Sequence, residues 1–472
     1  MSAQTMKQIT NRLRPSSPRL RRGLQGGLAL GAVLFTGACE TERLVRVVDP
    51  DIISPELVQT AAAADFLRVG VIGRMQTNLT SASTEGMLVY SGMLTDEYES
   101  GDTFIERNQM DQRTVQIENA NLLGGYRGIH RIRVGAQQAL RALLQFDAAG
   151  PGWKKAEMLM VEAYALNLIG EHFCNGVPIS TTVDGLEQPG GPVPTTELWT
   201  RALAKYDSAL VFLGTATGAD NDRVRNIVRV ERGRTLMNLN RPADAATSVA
   251  AVPTNFVWNL ENNATAGLNN VHWNFNQNVR RYLIGNSEGG EGLNFFAAND
   301  PRLPTCLGGD AACRAAGVTN TVAFNNAPGL RVQLKYPVRE ASIGLVTGIQ
   351  ARMIEAEAQL RAGNSAASLA TLNAARTTVT GLAPLADAGS ADARVDQLFR
   401  ERAFWNWGLG TRLGDLRRLV RQYNRPATSV FPSGAYITPG LTYGTDVNFP
   451  IPQAERNNPE FGENGSCIDR NA

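Results

Sequence analysis

Apolar residues recur at helical spacing over most of this 472-residue chain, and this periodicity constrains the fold more than any other feature. Strand patterns are few. The spacing predicts a mostly α fold with a loop-rich insertion at 252–337 and an extended C-terminal tail at 426–472. Helices are predicted at 57–77, 117–144, 153–172, 197–213, 224–239, 345–362, 366–378, 393–407 and 413–423.

Two segments, 236–246 and 360–369, look like copies of one helical hairpin. In each, a helix ends in a tight turn and an Ala-rich helix follows. Asn240 and Gly363 stand where the first helix must end, and both residue types tolerate the left-handed backbone of a helix C-cap. Small residues that allow close helix packing are typical of tetratricopeptide hairpins. Because the copies begin 124 positions apart, we predict interrupted hairpins, with generic αα-hairpins as the alternative.

The first 38 residues have the three-part pattern of a cleaved secretory signal. Six basic residues precede an apolar run at 26–35, which is too short to cross a bilayer of roughly 30 Å. Cys39 directly follows Gly37 and Ala38, which resembles the bacterial lipobox, whose cysteine is lipidated. We predict a signal peptide at 1–38, a lipidated tether at 39–55 and one domain at 56–472, with its scaffold at 56–251 and 338–425. The alternative is an ordinary secretory signal with an incidental cysteine.

The charge balance excludes a broadly basic nucleic-acid-binding protein. Residues 1–38 hold six of the 46 basic residues and no acidic ones, which leaves 40 basic against 44 acidic residues from Cys39 onward. No later segment has about 18 consecutive apolar residues, so no later membrane-spanning helix is expected.

Four cysteines remain after Cys39: Cys174, Cys306, Cys313 and Cys467. Cys306 and Cys313 bracket a Gly-rich turn whose ends can meet, so we predict a disulfide there. Closing this short loop would stabilise the fold by roughly 2–3 kcal/mol. A zinc site is the weaker interpretation because it needs two more sulfur or imidazole ligands nearby. Whether Cys174 and Cys467 pair stays open.

Six short motifs follow one another along the chain. They are the helix end and turn at 163–179, Asp300-Pro301-Arg302, the helix 354–360 with Glu355 and Glu357 beside alanines, Leu372-Asn373-Ala374-Ala375-Arg376, the charged block 401–418, and Phe449-Pro450-Ile451-Pro452 with Glu455, Asn458, Pro459 and Asn464 after it. In this order they resemble the SusD/RagB family of outer-membrane nutrient-binding lipoproteins.

The resemblance implies a SusD-like fold of interrupted hairpins. It also implies a lipid-anchored protein of the outer membrane that captures an oligosaccharide or a peptide and passes it to a SusC-like TonB-dependent transporter. No cofactor or metal is expected, and the family does not imply an enzyme.

The block 401–418 carries alternating charge on adjoining helices. Arg side chains can bind carboxylates through two parallel hydrogen bonds, so we interpret Glu401, Arg402, Arg412, Asp415 and Arg418 as scaffold. A sugar-stacking aromatic strip walled by ion pairs is the functional alternative.

Ligand-binding residues are predicted among aromatic side chains next to amides, because a sugar ring presents CH groups to a flat ring and hydroxyls to amides. The alternative is that these aromatics fill a small core under the insertion. The insertion supplies Trp258, Trp273, Phe275 and Tyr282, and Tyr90 and Tyr98 are second candidates.

Signals for catalysis are weak. His130, His172 and His272 lack metal-ligand spacing, and no nucleophile elbow or phosphate-binding loop is present. Asp96 and Glu97 could serve a glycoside hydrolase, which uses two carboxyl groups about 5–10 Å apart, but a solvated acidic loop is the expected reading. A glycoside hydrolase and a tetratricopeptide-type protein-binding scaffold are therefore the alternative functions.

Overall fold

The computed structural model describes residues 58–81, 86–183, 186–462 and 465–472. Most of the scaffold is helical, as the periodicity predicts. The helices are α1 (Ala61–Met75), α2 (Gly86–Leu94), α3 (Ile105–Asp111), α4 (Ala120–Phe146), α5 (Gly152–His172), α6 (Thr195–Leu213), α7 (Ala219–Asn238), α8 (Pro242–Val249), α9 (Ala311–Ala315), α10 (Gly348–Arg361), α11 (Ser365–Arg376), α12 (Ala391–Trp405) and α13 (Arg412–Tyr423).

The two hairpins identified in the sequence are α7–α8 and α10–α11. Asn240 has φ of 61° and Gly363 has φ of 82°, so both are left-handed, as their position predicts. In each turn the residue after the left-handed one donates its amide to the carbonyl five residues back. Arg241 thus bonds Leu236, and Asn364 bonds Gln359. The helix α8 packs on α10, so the interrupted hairpins meet in space.

Strands are short and occur in antiparallel pairs, of which the described part of the chain holds five. Two of these pairs join the insertion to the scaffold: Tyr98–Ser100 with Tyr282–Ile284, and Val257–Leu260 with Ile343–Thr347. The strands are β1 (Tyr98–Ser100), β2 (Val177–Pro178), β3 (Thr181–Val183), β4 (Leu186–Gln188), β5 (Pro192–Val193), β6 (Val257–Leu260), β7 (Tyr282–Ile284), β8 (Thr305–Leu307), β9 (Arg331–Gln333) and β10 (Ile343–Thr347).

The helix predicted at 345–362 begins later than its apolar spacing indicates. Residues 343–347 pair with β6, and Thr347 then starts α10. The Thr347 hydroxyl accepts from the Gln350 amide at 3.2 Å while the Gln350 side chain accepts from the Thr347 amide at 2.8 Å. This reciprocal capping box satisfies two amides that the helix itself leaves unpaired.

Both disulfides tie loops to the core. Cys306 and Cys313 are bonded, with an S–S distance of 2.02 Å, inside a small satellite core of the insertion. Cys174 and Cys467 are also bonded, with 293 positions between them, and this bond fastens the C-terminal tail beside the end of α5. The Cys174 amide donates to the Phe449 carbonyl at 2.9 Å, so the tail lies across the helices next to the bond.

The predicted signal peptide, Cys39, the tether and Asn464 lie outside the described residues. No helix within the described ranges is long and apolar enough to cross a membrane.

Candidate functional site

The charged motifs meet as buried ion pairs. Arg402 binds both oxygens of Asp415 at 2.9 and 2.8 Å, and Arg418 bonds Asp415 at 2.9 Å. The other end of the Arg418 guanidinium binds Glu357 of α10. All four side chains are at most 7% exposed. The scaffold interpretation of the block is therefore confirmed for these residues.

A second cluster fastens the insertion to the scaffold. Glu401 of α12 accepts from Arg302 at 2.7 Å and from Arg376 of α11 at 2.6 Å. Arg302 also binds Asp300 of its own turn, at 2.6 Å. Two motifs that stand far apart in the sequence thus share one carboxylate, and the cluster holds the 300–302 turn against α11 and α12.

Asp96 and Glu97 are buried rather than solvated. Arg412 binds both oxygens of Asp96 at 2.7 Å, and the Asp96 side chain is 1% exposed. Glu97 accepts from the Gly408 amide at 3.0 Å. Burial raises the pKa of Glu97 to about 8. The expectation of a solvated loop is wrong, because an arginine on a distant helix pairs with Asp96 and both acidic residues are buried in the core.

A polar cluster of buried side chains surrounds Glu97. The Tyr98 hydroxyl lies 2.6 Å from Nδ1 of His272, and burial lowers the pKa of His272 to about 3, so the imidazole is neutral. Lys335 donates to the Trp407 carbonyl at 3.0 Å, and burial lowers its pKa to about 8. His272 directly precedes Trp273, and Lys335 stands two positions before Pro337. The cluster is therefore continuous along the chain with the segments that begin at Trp273 and at Pro337.

Five of the six predicted ligand-binding aromatics are core side chains in this structure, which corrects that expectation. Strand pairing turns Tyr98, Trp258 and Tyr282 inward. Tyr90 lies in the fully buried helix α2, and the Phe275 ring packs against that of Tyr282 with 5.2 Å between the ring centroids. The exposed fractions are 2% for Tyr90, 1% for Tyr98, 6% for Trp258, 6% for Phe275 and 1% for Tyr282.

Trp273 is the predicted aromatic that reaches the surface. It is half-buried and lines an open cleft of about 570 Å³. The remaining walls come from the segment after α9 and from the turn after Tyr336. Lining residues are Gln277, Asn278, Ala316, Gly317, Val318, Asn320, Pro337, Val338, Arg339 and Glu340. The exposed amides of Asn278 and Asn320 beside an indole ring are the combination that a sugar requires. The Gln277 side chain is buried and donates to the Gln333 and Tyr336 carbonyls.

The walls of this cleft are held by fixed contacts. The Asn270 side chain accepts from the Trp273 amide at 3.0 Å and donates to the Ala341 carbonyl at 2.8 Å. On the other wall, the Val318 amide donates to the Cys313 carbonyl at 2.8 Å. These contacts hold part of both walls in place, and walls that are ordered in advance reduce the entropy cost of binding.

A second exposed aromatic group was missed in the sequence. Phe104 is 50% exposed and Phe324 is 37% exposed. The Arg281 guanidinium lies 4.8 Å from the Phe104 ring centroid and 3.8 Å from that of Phe324. Arg281 is itself fixed by Asp102 at 2.6 Å. We call Phe104, Arg281 and Phe324 the phenyl pair surface.

The phenyl pair surface lies close to the cleft along the chain. Asn320 lines the cleft and Phe324 is four residues further, so their Cα atoms are at most about 15 Å apart. Phe324 is followed by Asn325 and Asn326. The rule that selected aromatics beside amides at 257–296 could have found Phe324, whereas its exposure follows only from the tertiary packing.

Comparison with solved structures shows the fold. A SusD superfamily protein from Parabacteroides distasonis superposes with a TM-score of 0.61 at 14% identity, over 84% of this chain and 98% of that chain. A SusD superfamily protein from Bacteroides fragilis also gives 0.61, at 12% identity, over 84% and 97%. This chain has the SusD-like fold.

A third SusD-like neighbour has a described ligand class. It is a SusD-like carbohydrate binding protein from Bacteroides vulgatus, with a TM-score of 0.57 and 12% identity over 76% of this chain and 83% of that one. No family model and no curated protein matches the sequence. The likeness therefore extends over most of the backbone, whereas few residues are shared.

Proposed function

We propose that this SusD-like chain is a SusD/RagB-type lipoprotein of the outer membrane that binds an oligosaccharide and delivers it to a SusC-like TonB-dependent transporter. A peptide is the alternative ligand. The observation that carries the proposal is the open cleft with Trp273 beside the exposed amides of Asn278 and Asn320. The SusD-like fold supports it, as does the carbohydrate-binding description of one structural neighbour.

In this proposal the ligand lies on two surfaces. A sugar ring stacks on the indole of Trp273 and its hydroxyls bond Asn278 and Asn320, which are both exposed in the cleft. The phenyl pair surface offers a further stacking position, for a sugar unit or for an apolar peptide side chain. Because Arg281 lies between the two phenyl rings, their faces are ordered before the ligand arrives.

Replacing Trp273 with alanine is expected to weaken glycan binding by about 1–3 kcal/mol, roughly 5- to 150-fold, because it removes the stacking surface. Isothermal titration with a glycan that binds the wild-type protein measures this loss. Phe104→Ala should weaken the same binding by a smaller factor.

Trp258→Ala is the matched control, because this tryptophan is 6% exposed in β6. Truncation of a core tryptophan costs about 3–5 kcal/mol of stability, so Trp258→Ala should melt at a much lower temperature than Trp273→Ala. Unchanged affinity in Trp273→Ala and in Phe104→Ala would show that neither surface holds the ligand.

The anchor and the delivery step are proposals that rest on the sequence. If Cys39 carries the lipid, Cys39→Ser should move most of the protein out of the detergent-extracted outer-membrane fraction, since stable anchoring needs several acyl chains. Radiolabelled fatty acid should appear on the wild-type protein alone. Equal labelling of Cys39→Ser and the wild-type protein would contradict lipidation at Cys39.

The delivery step predicts that a transporter barrel copurifies with the wild-type protein from native membranes. The absence of any such barrel would contradict this step.

A further inference from the structure

The charge of the Trp273 cleft is balanced by one pair of side chains. Arg339 and Glu340 are the charged residues among those that line it, and Nε of Arg339 lies 2.8 Å from the Glu340 carboxylate. Both side chains are about half exposed, at 50% and 45%. The hydrogen bond from Arg339 lowers the pKa of Glu340, so this carboxylate stays ionised at neutral pH.

This pair is held close to Trp273. The Asn270 amide donates to the Arg339 carbonyl at 2.8 Å, and the Asn270 side chain accepts from the Trp273 amide. The turn is closed by a bond from the Ala341 amide to the Val338 carbonyl at 3.1 Å. Asn270 is fully buried, so this one residue joins the turn at 338–341 to Trp273. Arg339 and Glu340 therefore line the same cleft as Trp273, on a turn whose backbone is fixed to the Trp273 segment.

We propose that Arg339 and Glu340 make this cleft selective for uncharged sugar units over anionic ones, an inference that rests on the proposed function. An arginine alone in a cleft of amides would attract a uronate or a sulfate group, because guanidinium binds such oxyanions through paired hydrogen bonds. Here Glu340 already accepts from Arg339. Glu340 occupies Nε of Arg339 and offsets its positive charge, so a ligand carboxylate that approaches the guanidinium is repelled by the neighbouring carboxylate.

The expected size of the effect follows from the solvent exposure of the Arg339 and Glu340 side chains. Two unit charges about 5 Å apart in a medium close to water interact by roughly 1 kcal/mol, which is about a 5-fold change in affinity. Such an interaction is screened at high ionic strength, where the Debye length falls to about 3 Å at 1 M salt. The selectivity should therefore be strong at low salt and largely lost in 1 M NaCl.

The test uses glycans that differ only in charge. Oligogalacturonate is paired with its methyl ester, and glucuronoxylan and heparosan oligosaccharides are paired with their carboxyl-reduced forms. For each pair that binds, the wild-type protein should prefer the neutral member. Glu340→Gln should raise the ratio of anionic to neutral affinity about 3- to 10-fold at low salt, and Arg339→Gln should lower it.

Asp244→Asn is the matched control, because Asp244 pairs with Arg241 at 2.7 Å with side chains 49% and 52% exposed, on the hairpin α7–α8. It changes the net charge as Glu340→Gln does, and it should leave the ratio unchanged. A wild-type preference for the anionic members, or an equal ratio in Glu340→Gln and Asp244→Asn, overturns the inference while carbohydrate binding stands. Binding of no glycan in either form would remove the proposed carbohydrate function itself, and this inference with it.

Discussion

Replacing Arg418 with methionine is expected to lower the free energy of unfolding by about 3–5 kcal/mol. The arginine is 2% exposed and lies between Glu357 and Asp415, whose side chains are 0% and 6% exposed. Although burial alone would raise the pKa of Asp415, Arg402 and Arg418 hold it below its ordinary value. Without Arg418, the two buried carboxylates share Arg402 alone, so one negative charge in the core is no longer balanced. Urea unfolding followed by circular dichroism measures the loss.

Arg241→Met provides the comparison for a pair outside the core. Arg241 also bonds a carboxylate, Asp244, but both side chains are exposed to solvent. Exposed pairs of this kind contribute about 0–1 kcal/mol to the free energy of unfolding. We therefore expect Arg241→Met to unfold at nearly the wild-type urea concentration. If Arg418→Met were as stable as Arg241→Met, the buried ion pairs would not be what holds α10 to α13.

Removing the bond between Cys174 and Cys467 with paired serines is expected to have a comparable effect. In the chain-entropy model the stabilisation grows with the loop that is closed, and a separation of 293 positions corresponds to about 6 kcal/mol. The bond between Cys306 and Cys313 closes 7 positions and corresponds to roughly 2–3 kcal/mol. Urea unfolding of the two double-serine variants, side by side, measures the difference.

The tail keeps other contacts when this bond is absent. The Asn448 side chain donates to the Asn471 carbonyl at 2.7 Å, and Asn175 bonds Asp469 at 2.7 Å. Since the Asn175 bond still joins the tail to the scaffold, we expect the double-serine variant to fold at low temperature, where its stability can be measured. A smaller loss in Cys174→Ser/Cys467→Ser than in Cys306→Ser/Cys313→Ser would contradict the loop-length argument for this protein.

The long helices could be predicted because their signal is local. Alternating apolar and polar faces at a period of 3.6 residues identified α4 through α7 and α10 through α13 to within a few residues at their ends. The helix α2 was missed for the opposite reason. All nine of its residues are buried, so it has no polar face and no periodicity to detect.

The candidate site was predictable only in part. The pairing of aromatic and amide residues pointed to the insertion, and Trp273 does line a cleft there. The same pattern also selected Trp258, which pairs opposite Val346 in a strand and turns inward. The adjacent acids Asp96 and Glu97 predicted a solvated loop, because their partners Arg412 and Gly408 are more than 300 positions away in the sequence.

The sequence by itself determined the helical class, the interrupted hairpins and the left-handed turns at Asn240 and Gly363, because each depends on residues within about two turns of helix. Only the tertiary structure decided which charges are buried, which aromatics remain in contact with water and which cysteines meet across the chain. Those properties depend on contacts between segments hundreds of residues apart. The burial of a side chain is the result of many such contacts. Trp258 therefore lies in the core and Trp273 in a cleft, although both have an aromatic residue and an asparagine nearby in the sequence.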